Sequence, residues 1–398
     1  MRVLMLLYNL VGKGTYWRAL QLARSLAKRG HSITVLATSR ERRLHFGARL
    51  DVQTGVTLVE SPDLLWGPLR SGWDPWDALS RIGWTRKQQF DLVHAFESRP
   101  TVIFPSLYWQ RCRNTRLVLD WCDWFGRGGS VEERPNPLVR SVLRPVETFF
   151  EEHFRSYADG TTVINTVLHQ RAIALGVPPQ TILLLRNGSD VENLHPHPRA
   201  ESRKEIGLPV SELIIGYVGS IFYRDAVLMA RAFDIIRAAE PRARLLIAGY
   251  CNQPIERLVS VPEAVYRTGS LRYDELDLYL AACDVCLLPL CDSLANRGRW
   301  PLKLNDFMAV GRPVVATAVG DMTTFLQQYP IGLLARDEPQ DLAAKVLTLL
   351  AAPQEREAMG RLARHLAETV FTWDRLAEQL ESFYHQVLEG IWTGQTGV

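Results

Sequence analysis

The stretch richest in chemistry runs from Asn296 to Thr317, Asn-Arg-Gly-Arg-Trp-Pro-Leu-Lys-Leu-Asn-Asp-Phe-Met-Ala-Val-Gly-Arg-Pro-Val-Val-Ala-Thr. Pro301 suits the first position of a helix, where its missing N–H costs nothing, and Gly311 followed by Pro313 is a strong stop. A helix of one and a half to two turns is therefore predicted to open just after Arg299. Its free N–H groups and positive dipole end, joined by Arg299 and Lys303, make a place for a diphosphate. Lys303 and Asp306 stand three apart and share a face, with Asn305 between them, while Leu304, Phe307 and Met308 pack inward. A cation for phosphate and a carboxylate for sugar hydroxyls then sit side by side. The competing reading is a surface ion pair on a short capped helix.

Two further groups end strand-like runs. After Leu117-Val-Leu119 comes Asp120-Trp-Cys-Asp-Trp-Phe-Gly-Arg-Gly-Gly129. Asp120 and Asp123 beside tryptophans can orient sugar hydroxyls, with Arg127 as a further contact, and Gly126–Gly129 can bring backbone N–H groups to an oxyanion. An Asp capping the next turn beside core aromatics is the alternative. His94-Ala-Phe-Glu-Ser-Arg-Pro100 closes another strand, and His94 reads either as a catalytic imidazole or as a satisfied core imidazole. Near the start, Val11-Gly-Lys-Gly-Thr15 is a glycine turn carrying Gly12 and Gly14.

The elements that must position these groups alternate strand and helix, which implies parallel sheets covered by helices. Strands are expected at Val3–Tyr8, Ser32–Thr38, Leu92–Ala95, Arg116–Leu119 and Gly160–Ile164. A helix follows the glycine turn, its Ala19, Leu22, Ala23 and Leu26 spaced for one buried stripe, and stops at Gly30. A Pro- and His-rich stretch, His195-Pro-His-Pro198, reads as a linker. Beyond it strands are expected at Leu213–Val218, Arg244–Ala248, Val265–Thr268, Asp284–Pro289 and Val314–Thr317, with a helix near Ala226–Ala239. The fold class is α/β: two Rossmann-like doubly wound parallel-sheet domains, 1–195 and 196–372, facing a cleft where ligands bind. The amphipathic segment from Trp373, with Leu376, Leu380 and Phe383, makes 373–398 a helix returning to the first domain.

The 398 residues, 47% hydrophobic and 22% charged, exclude a disordered tail or fibre. Net charge is only +3, but residues 1–50 hold ten basic residues, among them Arg40, Arg42 and Arg43, against Glu41 alone. That imbalance favours an anionic partner near the N-terminus, phosphate, phospholipid or nucleic acid, or else is a solvated basic face. No reading motif supports nucleic acid, so none is expected as a partner. Trp66, Trp73, Trp76 and Trp84 interleave with Arg70, Arg81 and Arg86 in an insertion that reads as an interfacial membrane contact or as a packed loop. The run Val3–Tyr8 is too short for a signal-peptide core, and no stretch reaches a membrane span. Six cysteines follow no secreted rhythm, so the chain is placed in the cytoplasm, with peripheral contact at the inner membrane face left open. Cys283 and Cys286, three apart in a strand, are expected on opposite faces, which disfavours zinc.

These segments resemble the retaining glycosyltransferases of the GT-B fold, family 4. The likeness rests on Asp306-Phe-Met-Ala-Val-Gly-Arg-Pro-Val-Val-Ala-Thr317, on Val218-Gly-Ser220, Arg244-Leu-Leu-Ile-Ala-Gly249 and Ala282-Cys-Asp-Val-Cys-Leu-Leu-Pro289, and on Phe371-Thr-Trp373. In the first half it rests on Gly12-Lys-Gly14 with the helix to His31, and on Arg186-Asn-Gly-Ser-Asp190. The resemblance implies transfer of a sugar from a nucleotide-diphosphate sugar to a hydroxyl of a glycan, lipid-linked or small-molecule acceptor, with retention, no metal and no cofactor beyond the donor. Arg224, Arg299 and Lys303 would hold the phosphates, Asp306 the ribose, and Gly12, Gly14, Ser220 and Asn305 further parts of the donor. No catalytic histidine is carried over from the family; from the residues themselves, Asp123 and His94 are read as catalytic and Asp120 and Arg127 as acceptor contacts.

Departures accompany the likeness. A carboxylate often found eight residues before the second one falls on Gly298, and is displaced onto Asp292 or Asn296 if present. Ser220 stands where Arg is common, and Cys122 stands where a His is expected. No Asp-x-Asp triplet occurs, which argues against a metal-held diphosphate. Two rivals are a sugar-nucleotide epimerase or non-transferring paralogue, and an NADP-dependent oxidoreductase. The last is weakened by Trp17 in place of a third glycine and by Thr38-Ser-Arg40 without an acidic residue.

Overall fold

A computed structural model describes residues 1–41, 44–65, 67 and 70–392 of the chain. Arg42, Arg43 and Trp66 lie outside the described residues. The chain forms two compact units, Met1–Asn187 together with the chain from Trp373, and Gly188–Thr372.

The first unit carries eight strands, β1 (Arg2–Leu10), β2 (Ser32–Thr38), β3 (Gly47–Asp51), β4 (Val56–Ser61), β5 (Leu92–Phe96), β6 (Arg116–Trp121), β7 (Gly160–Val163) and β8 (Ile182–Leu184). Their order is β3-β4-β2-β1-β5-β6-β7-β8, parallel except for the β3–β4 pair at the edge. Central strands are continuous apolar runs because both sheet faces are covered: Val3 through Leu7 are fully buried. The helix Tyr16–Lys28 buries Ala19, Leu22, Ala23 and Leu26, the expected stripe. The helix Trp373–Glu389 packs in this unit, its Glu381 accepting from Arg29 and bonded to His31 at 2.6 Å, and its Tyr384 hydroxyl 2.6 Å from His94 Nδ1.

The aromatic insertion is packed against the unit, and its later part, with Trp76, Arg81 and Trp84, is the helix Pro75–Thr85 where a loop was expected. Arg81 is fully buried, paired with Asp77 at 2.8 Å and donating to the Leu7 carbonyl, and Arg70 pairs with Asp63 at 2.6 Å. Trp73 packs on Phe150 and Trp84 stacks on Phe46. Only Trp76 of the described tryptophans there is exposed.

The second unit carries β9 (Leu213–Val218), β10 (Ala243–Ala248), β11 (Val265–Arg267), β12 (Val285–Leu288), β13 (Val314–Thr317) and β14 (Gly332–Ala335), all parallel in the order β11-β10-β9-β12-β13-β14. Residues 188–195 belong to this unit: Ser189 N–H donates to the Phe371 carbonyl and the Arg364 guanidinium donates to the Leu194 carbonyl at 2.8 Å. Cys283 precedes β12 and is not in it. Both Cys283 and Cys286 sulfurs crowd the same side of Gly216, correcting the opposite-faces expectation, and all six cysteines are free. No helix among the described residues is long and apolar enough to cross a membrane.

Candidate active site

In the second unit β9 lies between β10 and β12, so the strand order reverses there, and such sheets take ligands at the carboxyl ends flanking the reversal. Pro301 is the residue just before the helix, which runs Leu302–Ala309 with no side chain capping its start. Its first turn projects Lys303, whose ammonium donates to the Tyr217 hydroxyl and to the Ser220 carbonyl at 3.0 Å, 4.2 Å above the Tyr217 ring. Arg299 lies 3.9 Å over the Phe222 ring, and Arg224 and Ser220 are exposed nearby in sequence. Burial, with the Arg299 charge, pushes Lys303 down to about 7. A partly buried ammonium facing another cation is a site that gains from an anion.

Asp306, one helical turn on, is pushed up to about 7 by burial and then by the neighbouring Asp190 carboxylate, while Lys303 pulls the other way. Asp190, in the Asn-Gly-Ser-Asp segment, accepts from Asn193 at 2.9 Å and adds to the effect of burial on Asp306. Asn305 points the opposite way. Fully buried, it accepts from the Trp300 indole at 3.0 Å and donates to Ser189 Oγ, so it anchors the helix and does not face a donor. Of the two candidates for the displaced carboxylate, Asp292 is exposed and Asn296 is buried. Asp292 is ion-paired with Arg297 at 2.6 Å, and buried Asn296 clamps Asp225 and the Cys291 carbonyl. Asp225, missed in the sequence because it sits inside a helical stripe, is 2% exposed and is pushed up by burial.

In the first unit the β1 carboxyl end leads through Gly12 and Gly14, both at positive φ (78° and 56°), into the helix Tyr16–Lys28. A Cβ at Gly14 would lie 2.7 Å from the Asn9 amide, so the turn requires glycine there. Thr15 at the helix start lies 3.4 Å from Cys122 Sγ.

Behind this turn is a buried charge network. Arg18 donates to Asp120 at 2.9 Å, to Asn187 Oδ1 at 3.0 Å and to the Leu185 and Arg186 carbonyls. Asp120 is fully buried and also accepts from Thr162 at 2.6 Å, because β6 extends through Trp121 and keeps it inside the sheet. It is the counter-ion of Arg18, not an acceptor contact. His94 is likewise fully buried, bonded to Tyr384 and, at 3.3 Å, to Thr162. Burial pushes it down to about 4, so it is a neutral core imidazole and the catalytic reading falls.

The Gly126–Gly129 amides are also committed. Gly126 N–H donates to Glu151 at 2.6 Å, Arg127 N–H to Thr148 at 2.8 Å, Gly128 N–H to Glu132 and Gly129 N–H to the Gly126 carbonyl. No oxyanion is received there. Asp123 is partly buried near Tyr8 and Cys122, and the Arg127 side chain is exposed.

Glu97 was passed over in the sequence although it lies in the same segment as His94. It sits at φ 69°, a strained conformation for a non-glycine residue, and accepts from the Cys122 N–H and S–H at 3.0 Å. Burial raises its carboxyl to about 7, against the pull of Arg155. An acidic residue directly ending an apolar strand was the available signal.

The fold and site define the class first: two doubly wound α/β units of the GT-B kind, one carrying a cationic helix start beside a carboxylate. The family descriptions agree in detail. "Glycosyl transferase 4-like domain" matches residues 13–188 and "Glycosyl transferases group 1" matches 212–352, together most of the chain. The D-inositol 3-phosphate glycosyltransferase of Thermobispora bispora is 25% identical over 332 residues, 78% of this chain and 69% of its own length. The corresponding protein of Segniliparus rotundus is 28% identical over 53% of this chain and 48% of its own length, so the chain spans about half the length of some curated relatives. Among solved structures, sucrose-phosphate synthase from Thermosynechococcus elongatus superposes with a TM-score of 0.77 at 17% identity, covering 98% of this chain and all of the other. The chain belongs to the group 1 glycosyltransferases of family 4, and it is a glycosyltransferase.

Proposed function

We propose that the chain transfers a sugar from a nucleotide-diphosphate sugar to a hydroxyl acceptor with retention at the anomeric carbon. The observation that carries the reading is the pair Lys303 and Asp306 on one short helix at the carboxyl end of the reversal in the second sheet. Arg299 and Lys303, with exposed Arg224, hold the diphosphate as charge leaves the sugar. Asp306 accepts from the ribose hydroxyls, and its raised proton affinity is relieved when they donate to it. Gly12 and Gly14 let backbone come close to the sugar phosphate, and Asp123 and Arg127 serve the acceptor. Such chemistry requires no metal where cations and a helix start stabilise the leaving group.

A lipid-linked acceptor with peripheral contact to an anionic membrane is the finer part of the proposal. It is supported by the outward face of the helix Pro137–His153, where Leu138, Val142 and Phe149 are exposed beside Arg140 and Arg144. Leu138→Asp with Phe149→Asp abolishes co-sedimentation with phosphatidylglycerol vesicles if this is right.

The main test is a thermal-shift panel of UDP-, GDP-, ADP- and dTDP-sugars, since a ligand that prefers the folded chain raises its melting point. One base shifts the wild type and fails to shift Lys303→Ala; no shift with any of them refutes the donor assignment. Anomeric coupling in the product, read by NMR, tests retention.

A further inference from the structure

At the amino edge of the second sheet, away from the strand ends that carry Lys303, lies a cavity of about 350 Å³ lined by residues from the start of β12 and β13 and from the helix Pro353–Thr369. Its charge does not balance. Five arginines line it (Arg199, Arg312, Arg356, Arg361 and Arg364) against three carboxylates (Asp284, Glu357 and Glu368), and Asp284 meets Arg199 at 3.1 Å and Arg356 at 3.6 Å, as well as Arg203 behind the wall at 2.6 Å. Two other lining arginines are spent on helix ends: Arg312 donates to the Ala281 carbonyl and Arg364 to the Ala309 carbonyl, with Glu368 as its ion-pair partner.

Two arginines and a histidine on the wall keep donor capacity that these contacts do not use. Arg356 is 6% exposed and its Nη1 caps the Leu349 carbonyl, yet its Nε is buried with no hydrogen-bond partner. Arg361 and His365, one helical turn apart on the cavity side of the helix, have no side-chain partner among the described residues. Burial pushes the Arg312 and Arg356 guanidiniums down, against the pull of Asp284 on both. A buried N–H without a partner is costly, and the guanidinium fork matches the paired oxygens of a phosphate as it does those of a carboxylate.

We propose that this cavity is a second anion site, separate from the donor site, taking a small soluble phosphate or phosphate monoester held by Arg361, His365 and Arg199, with the buried Arg356 guanidinium behind them. Its volume of about 350 Å³ is ample for a phosphate with a modest organic group.

The test is calorimetric titration of the full chain with inorganic phosphate. It is done in the Lys303→Ala background so that the donor site contributes little, and repeated with Arg361→Ala plus His365→Ala added. Both residues are exposed at the open rim of the cavity, so the changes leave the fold intact, which unchanged circular dichroism checks; Arg199→Ala is the independent variant. Saturable phosphate binding in Lys303→Ala, weakened at least about tenfold by the double change and by Arg199→Ala, supports the site. Absence of saturable binding overturns it, as does binding that ignores both changes. Capture by phosphatidylglycerol vesicles without binding of free phosphate also overturns it, because the ligand is then a membrane headgroup.

Discussion

Replacing Lys303 by methionine keeps the side chain's length and its contact with the Tyr217 ring while removing the ammonium. In the unliganded chain Lys303 stands at about 7 instead of its ordinary 10.5, held down by burial and Arg299. At pH 7 about half the molecules therefore carry the charge, and a diphosphate selects that half. Binding then takes up about half a proton at this residue at pH 7 and nearly a whole one by about pH 8.5, so affinity falls by up to about tenfold per pH unit above 7. Asp306, raised to about 7, titrates in the same range with the opposite sign. Ribose hydroxyls that donate to its carboxylate favour the ionised form and release a proton. In the wild type the two contributions nearly cancel at pH 7, and above it the uptake at Lys303 dominates. In Lys303→Met net release remains, and in Asp306→Asn net uptake remains. Calorimetry of nucleoside diphosphate binding in buffers of different ionisation enthalpy reads the proton count directly. At about pH 6, where the ammonium is mostly charged, Lys303→Met costs ~1.5–3 kcal/mol, about tenfold to a hundredfold in affinity. The same proton count in all three chains, or affinity unchanged within about twofold, refutes the assignment.

Asp123→Asn lowers turnover more than nucleotide affinity; the reverse pattern in steady-state kinetics and equilibrium binding moves the residue to the donor side. Asp120→Ala strands Arg18 in the interior and costs about 3–5 kcal/mol, measured as a lower urea midpoint with unchanged slope. His94 is held below its unfolded value, so the unfolded chain binds the extra proton between about pH 6.5 and 4, and stability falls as pH falls through that window. The loss relative to His94→Gln reaches a few kcal/mol, and parallel stability curves for the two chains refute it. Gly332→Ala puts a Cβ 1.9 Å from the Val314 carbonyl oxygen and lowers the melting temperature; an unchanged one contradicts the packing of β14 on β13.

The parallel core was legible because its strands are buried on both faces and read as unbroken apolar runs: Ser32–Thr38, Leu213–Val218 and Val314–Thr317 have the expected bounds. The edge hairpin β3–β4 was not, since Arg49, Leu50 and Asp51 alternate in no way that distinguishes an edge strand from a loop, and four-residue β14 follows Pro330 with too little sequence to show a period. Lys303 and Asp306 were legible from helix punctuation and spacing. Asp120 and His94 misled for a single reason. A polar residue near a strand's carboxyl end is a ligand if the strand stops before it and a buried counter-ion if the strand continues, and where β6 stops is decided by its pairing with β7, a contact no local pattern encodes. Glu97 was hidden by the same rule working in reverse.

The helix from Trp373 completes a body whose other residues were all made before Asn187. During synthesis the polypeptide up to Asn187 leaves the ribosome without the helix that seals Tyr384 against His94, and it must wait while the whole intervening stretch is made. The interposed unit, contiguous in sequence, is free to complete itself first, inverting the usual order in which the earlier-made domain folds before the later one. Halting translation, or trimming the last turns of the chain, should therefore harm the part that was made first.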